Sequence, residues 1–198
     1  LGQWEKAIVN YKGSLQLNPE NPLARFKLGE AYEKIDKIPE ALEQYRLVVA
    51  KVPNALHAMV ALAGAALKVG NNDEAIKWYT EVVKREPRNA SLWANLGLAY
   101  GKKGLWKEEV QNYKKSLILN PNDPVVHFNL AVAYEKGKQD KEAAVAYQKV
   151  LTLRPNDVDA MQRLADMDMK VKRYDQAIKR YEKIAKVLPK NAILYAKL

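Results

Sequence analysis

The sequence contains no cysteine among its 198 residues and only nine prolines, nine glycines and two histidines. Without cysteine, the chain has no disulfide framework, no thiolate metal site and no cysteine nucleophile. Proline and glycine are too sparse for a collagen-like or low-complexity chain. No apolar run approaches the roughly 18 residues that a membrane-spanning helix needs. These absences exclude fibrous proteins, membrane-spanning proteins and enzymes that depend on cysteine chemistry.

Side chains that carry chemistry are also scarce. Serine and threonine together number five, and the two histidines, His57 and His127, are 70 residues apart. A catalytic triad or a metal site with several histidines is hard to assemble from this set. We therefore expect a protein that is not an enzyme, with no catalytic residues, no cofactor and no metal.

The remaining composition is that of a globular protein, with 48% apolar and 28% charged residues, and it is basic, with a net charge of +10 and a pI of about 9.5. The first residues, 1–4, show neither a charged nor an apolar targeting segment. We expect a cytoplasmic protein, with any targeting segment outside this chain.

A period of 34 residues organises the whole sequence. Six of the nine prolines, six tyrosines and six leucines recur at this spacing. They are Pro19, Pro53, Pro87, Pro121, Pro155 and Pro189; Tyr11, Tyr45, Tyr79, Tyr113, Tyr147 and Tyr181; Leu28, Leu62, Leu96, Leu130, Leu164 and Leu198. Within each period, two apolar sets at i, i+3, i+4 and i+7 predict a pair of helices, separated by a short break such as Gly104.

The pattern Trp93-x-x-Leu96-Gly97-x-x-Tyr100 with Gly104, Tyr113 and Pro121 resembles the tetratricopeptide repeat. The resemblance implies an all-α fold, a right-handed superhelical solenoid of antiparallel helix pairs that stack into a continuous core. The predicted units are a partial repeat at 1–21, full repeats at 22–55, 56–89, 90–123, 124–157 and 158–191, and the start of a further repeat at 192–198. Because the first and last units are incomplete, we expect a fragment of a longer chain.

The same resemblance implies that the protein binds a peptide or helix of a partner on the concave surface lined by the first helix of each repeat. Positions five, six and nine of the repeats fall on one stripe of these helices. The stripe is mainly apolar, and its two asparagines resemble the asparagine ladder with which some family members hold a peptide backbone. We call it the first-helix groove; its residues are Phe26, Val60, Asn95, Leu98, Phe128, Asn129 and Val132.

Position thirteen is lysine in every complete repeat, which predicts a basic rim beside the groove: Lys34, Lys68, Lys102, Lys136 and Lys170. An apolar groove with a basic rim favours a protein or peptide ligand with apolar and acidic residues. Alternatively, the two phenylalanines pack within the superhelix, and the lysines only stabilise helix ends.

Two other functions remain open. In the first, the chain is a self-assembling scaffold on a membrane or bacterial organelle surface, of the magnetosome type. In the second, it is the substrate-docking arm of a larger enzyme such as a glycosyltransferase. Residues 158–198 carry half of the net charge of +10 and favour contact with an anionic membrane. Interspersed acids and the lack of a recognition helix argue against nucleic acid.

Single departures from the repeat pattern mark other places of interest. Glu109 stands where other repeats have alanine, and Asp168 where three have tyrosine. Trp78 occupies a second-helix position that predicts a partly exposed ring and a second contact surface. Elsewhere this position holds Asn10, Gln44, Asn112, Ala146 and Arg180.

Overall fold

The computed structural model describes residues 2–188. Within that range the chain forms helices and turns but no strand, which confirms the all-α class. The helices are α1 (Gly2–Leu17), α2 (Pro22–Lys34), α3 (Ile38–Lys51), α4 (Leu56–Lys68), α5 (Asn72–Arg85), α6 (Ala90–Lys102), α7 (Trp106–Leu119), α8 (Pro124–Lys136), α9 (Asp140–Leu153), α10 (Val158–Lys170) and α11 (Tyr174–Val187). The predicted start of a further helix at 192–198 lies outside the described residues.

Three of the first helices, α2, α8 and α10, begin at a short polar side chain that caps the helix. Asn21 accepts hydrogen bonds from the backbone N–H groups of Leu23 and Ala24, each at 3.1 Å. Asp123 and Asp157 cap α8 and α10 in the same way. Such caps satisfy N–H groups that have no partner within the helix.

The turn after each first helix has one residue with left-handed backbone, always at the fifteenth position of the repeat. Two of these residues are glycine, Gly70 with φ 78° and Gly104 with φ 82°. The other three are Asp36, Lys138 and Lys172, with φ of 60°, 56° and 61°. Glycine adopts this backbone at no steric cost, whereas a residue with a Cβ does so less readily. Gly104 therefore ends the first helix as the sequence predicts.

A side chain at the fourth position of three repeats holds the preceding loop, by donating a hydrogen bond to the carbonyl of the proline six residues earlier. Trp93 Nε1 lies 2.9 Å from the Pro87 oxygen, and Arg25 Nη2 lies 2.6 Å from that of Pro19. His127 Nε2 lies 2.9 Å from the Pro121 oxygen, so this ring nitrogen donates when it carries the proton. His127 thus has a structural role, in the position that holds Trp93 in the repeat 90–123.

The helices divide into two compact units, residues 1–103 and 104–198. In the first unit, α1 to α6 pack each against the next. Its core contains the periodic residues Leu28, Leu62, Leu96, Tyr45 and Tyr79, all buried, and small residues such as Ala41 and Ala75 let the helices approach. Gly29 shows how closely: a Cβ there would lie 2.5 Å from the Tyr45 ring.

In the second unit, α7 to α11 pack in the same consecutive way. Tyr113, Tyr147 and Tyr181 are among its most deeply buried side chains. The last core cluster joins α10 to α11 through Met161, Ala165, Ala177, Tyr181 and Ile184. The tyrosines and leucines of the 34-residue period are thus buried in both units, except that Tyr11 is half-buried and Leu198 lies outside the described residues.

Both departures from the pattern are buried acids with a basic partner. Glu109 is 3% exposed, and both of its carboxylate oxygens accept hydrogen bonds from Lys136 Nζ. Asp168 is 7% exposed and accepts from Arg180 Nε at 2.9 Å. An unpaired carboxylate would be costly at these positions, so each substitution of the usual small or aromatic residue comes with a cation.

Candidate peptide-binding site

Every residue predicted for the first-helix groove lies on a first helix. In the first unit these are Phe26 on α2, Val60 on α4, and Asn95 and Leu98 on α6; in the second they are Phe128, Asn129 and Val132 on α8. Asn95 and Asn129 belong to different units, and the asparagine ladder stays a prediction.

The two phenylalanines make equivalent contacts, one in each unit. The Phe26 ring lies 5.5 Å from the Tyr45 ring, tilted by 45°. The Phe128 ring lies 5.3 Å from the Tyr147 ring and meets it edge to face at 70°. Both phenylalanines are half-buried, so each packs on the core tyrosine of its own repeat and still presents apolar surface to solvent.

In the first unit, three first helices each present an apolar side chain that is partly exposed. Phe26 and Val60 are partly buried against the core of that unit, and Leu98 on α6 is 37% exposed. These positions on α2, α4 and α6 are those that the sequence assigns to the groove. An apolar segment placed on them would remove surface from water without displacing a core residue.

The five lysines of the rim form the last residues of α2, α4, α6, α8 and α10, but their surroundings differ. Lys68 Nζ lies 2.9 Å from Glu33, and Lys136 binds Glu109. Lys34 Nζ lies 6.0 Å from the centre of the Trp4 ring. Within residues 2–188, Lys102 and Lys170 form no ion pair. The rim therefore holds fewer unpaired charges than the sequence alone indicates.

A set of acids next to the rim was missed by the sequence analysis. Glu33 accepts from Tyr45 Oη at 2.8 Å and from Lys68 Nζ at 2.9 Å. Glu135 repeats this arrangement in the second unit: it accepts from Tyr147 Oη at 2.8 Å and from Arg163 Nη1 at 3.4 Å. The sequence does contain a signal for these Glu–Tyr pairs, because in both repeats a glutamate precedes the periodic tyrosine by twelve residues.

These contacts perturb ionisation of the core tyrosines. Burial and the hydrogen bond to Glu33 raise the pKa of Tyr45, and burial and Glu135 do the same for the pKa of Tyr147. Burial raises the pKa of Tyr79 to about 12. These phenols stay neutral at physiological pH, and those of Tyr45 and Tyr147 donate to their glutamates.

Next to α1, the first-helix side of the first unit has an open cavity of about 490 Å³. Aromatic rings of Trp4 and Tyr11 form one part of its wall, and Lys34 and Lys68 contribute the charge of the rim. Lys27 and Glu30 also line it and pair with each other at 2.7 Å. This end of the surface is thus of mixed charge, whereas Val60 and Leu98 are apolar.

The basic region predicted in 158–198 is partly neutralised where it is described. Arg180 and Arg173 both approach Asp168, at 2.9 and 3.9 Å. Lys190 and Lys197 lie outside the described residues. Among residues 2–188, no helix has both the length and the apolar character needed to cross a membrane.

Comparison with known families agrees with the repeat pattern. The model of the cytochrome c-type biogenesis protein H TPR domain matches residues 81–195. Tetratricopeptide repeat models match residues 1–36, 23–55 and 58–91.

Solved structures similar to this chain have the same fold at low sequence identity. MamA from Desulfovibrio magneticus RS-1 is 22% identical with a TM-score of 0.75, covering 79% of this chain and 88% of its own. YrrB, described as a TPR protein with an unusual peptide-binding site, is 16% identical with a TM-score of 0.75, covering 94% and 96%. PilF of Pseudomonas aeruginosa is 19% identical with a TM-score of 0.74, covering 99% and 89%.

Proposed function

The chain belongs to the tetratricopeptide repeat family, and we propose that it is an interaction scaffold that binds an extended or helical segment of a partner protein in the first-helix groove. It binds and positions the partner and carries out no chemistry on it. The observation that carries this proposal is the row of apolar side chains on α2, α4 and α6, where Phe26, Val60 and Leu98 leave surface open to solvent.

The surroundings of this row define the ligand that fits it. Each of the three helices ends in a lysine, and Lys102 forms no ion pair within residues 2–188. An apolar segment with acidic residues would bury the row and neutralise the rim. The peptide-binding site reported for YrrB supports the general function but does not identify a ligand for this chain.

A peptide selection with a matched pair of variants tests the proposal. Peptides selected from a random display library on the immobilised chain are titrated calorimetrically against the native protein, Leu98→Glu and Leu47→Glu. Leu98 and Leu47 are 37% and 41% exposed, but Leu47 lies on the second helix α3. We expect Leu98→Glu to weaken binding about tenfold or more, which is about 1.4 kcal/mol or more, and Leu47→Glu to leave it unchanged. Equal affinity of all three proteins would refute the groove.

The self-assembling scaffold is separated from this function by the mass of the protein in solution. Light scattering over a wide concentration range gives the monomer mass if the groove serves another protein. A mass that rises with concentration, and that Leu98→Glu returns to the monomer, would instead assign the groove to a second copy.

A further inference from the structure

A second open cavity lies between α7, α8 and α9, within the unit 104–198. It has a volume of about 640 Å³ and its wall is mostly apolar, formed by Leu117 of α7, Leu130 and Tyr134 of α8, and Val145 and Ala146 of α9. We call it the second-helix groove. Its volume falls within the roughly 300–1,000 Å³ of ordinary ligand sites.

The cavity is larger in this repeat than in the repeat that follows it, and the two repeats differ in the size of one lining side chain. Ala146 occupies the position that holds Trp78 in the repeat 56–89 and Arg180 in the repeat 158–191. Trp78 packs against the core of its unit, and Arg180 turns inward to bind Asp168 at 2.9 Å. The repeat 158–191 has an equivalent but smaller cavity of about 360 Å³, which Arg180 lines, whereas the repeat 124–157 has Ala146 at this position of its cavity of about 640 Å³.

The neighbouring position also differs in polarity. Val145 is 72% exposed, and the corresponding residues of the other two repeats are Lys77 and Lys179. Because this valine is exposed beside an apolar cavity, it enlarges the apolar surface that is accessible to solvent.

The edge of the cavity is basic. Lys141 and Lys149 line it together with one acid, Glu142. Lys114 lies beside it, with Nζ 5.6 Å from the centre of the Tyr134 ring. An apolar occupant with acidic flanks would match both the wall and the edge.

We infer that the second-helix groove is a docking site for an apolar helix flanked by acidic residues on a second partner protein, separate from the ligand of the first-helix groove. Copies of this chain are poor occupants, since each carries a net charge of +10. The chain's own segment 189–198 has two lysines and no acid, so it does not complement a basic edge either.

The test uses two synthetic probes and one charge-neutral variant. Each probe is a fluorescein-labelled helical peptide of about 15 residues with leucine at i, i+3, i+4 and i+7, flanked by glutamate in one and by lysine in the other. The variant Ala146→Trp fills the cavity with the residue found at this position in the repeat 56–89. Val9→Trp, at a position 67% exposed on α1, is the matched control.

Fluorescence anisotropy at physiological salt is expected to show binding of the glutamate peptide to the native chain and to Val9→Trp, and about tenfold weaker binding to Ala146→Trp. The lysine peptide should bind the native chain about tenfold more weakly as well. Equal affinity of the glutamate peptide for native chain and Ala146→Trp, or of the two peptides for the native chain, overturns the inference.

A second measurement keeps the inference testable if Ala146→Trp folds poorly. The glutamate peptide carries photoreactive leucine at its central position, and the crosslinked residues of the native chain are identified by mass spectrometry. Crosslinks within 117–149 on α7 and α9 support the inference. Crosslinks to Leu98 or other residues of the first-helix groove assign the peptide to that groove and overturn the inference. Dimerisation of the native chain through Leu117 or Val145 would overturn it as well.

Discussion

Lys136 Nζ lies 3.1 and 2.9 Å from the two carboxylate oxygens of Glu109, joining the last residue of α8 to the first turn of α7. The glutamate is buried, while the lysine side chain is 43% exposed. The pair therefore places a carboxylate inside the fold at a position where other repeats have alanine. One of the five rim lysines is committed to the stability of its unit.

Replacing this lysine tests the cost of the buried carboxylate. We expect Lys136→Met to destabilise the protein by about 1–3 kcal/mol at pH 7, because Glu109 loses its cation and both hydrogen bonds. Lys68→Met is the matched control, since Glu33 is 25% exposed and keeps Tyr45 as a donor. Its effect should stay below about 1 kcal/mol. Urea unfolding followed by circular dichroism compares the two.

The same pair has a defined dependence on pH. Burial raises the pKa of Glu109 above its ordinary value, and Lys136 opposes this rise. Native protein then retains a proton that the unfolded chain has lost, so the free energy of unfolding falls as the pH rises above about 4.3 through the raised pKa. Loss of Lys136 raises that pKa further. We expect Lys136→Met to be less destabilising at pH 4 than at pH 7; a pH-independent effect would contradict this explanation.

Replacing glycine by alanine is expected to have opposite effects on stability at two positions in first helices. A Cβ at Gly29 would lie 2.5 Å from the Tyr45 ring, whereas at Gly64 the nearest atom, Tyr79 Oη, is 3.5 Å away. Gly29→Ala should therefore destabilise by about 1–3 kcal/mol. Gly64→Ala should stabilise by about 0.5–1 kcal/mol through helix propensity. Thermal unfolding measures both, and a stabilising Gly29→Ala would show that the two helices can separate.

The tyrosine hydroxyls provide another matched pair. Tyr45 donates to the carboxylate of Glu33, whereas Tyr79 forms no hydrogen bond within residues 2–188. Tyr45→Phe should cost about 1.5–3 kcal/mol, the usual value for a hydrogen bond to a charged group, and Tyr79→Phe about 0.5 kcal/mol or less. Equal costs in urea unfolding would contradict a net stabilising contribution of the hydrogen bond between Tyr45 and Glu33.

Much of the fold follows from the sequence because packing positions recur at one spacing. Tyr45, Leu62 and Tyr147 are buried where the 34-residue period places them, and the turn at Gly104 ends its helix. Each helix pair needs the same close contacts, so the same residue types return.

The details of the site were less accessible from the sequence. Five lysines share one position, but whether each meets an acid depends on residues far away in sequence, Glu33 for Lys68 and Glu109 for Lys136. The second-helix groove was missed for a related reason. Trp78 attracts notice as a large side chain, whereas the residue that lines the cavity at the same position, Ala146, is small.

The most direct test of the scaffold function is site-specific photo-crosslinking in the native host. Benzoylphenylalanine replaces Leu98 in one version of the protein and Leu47 in another, and adducts are identified by mass spectrometry. We expect a defined partner protein to be crosslinked from position 98 and not from position 47. The same adducts from both positions, or none from position 98, would contradict the first-helix groove as the binding surface.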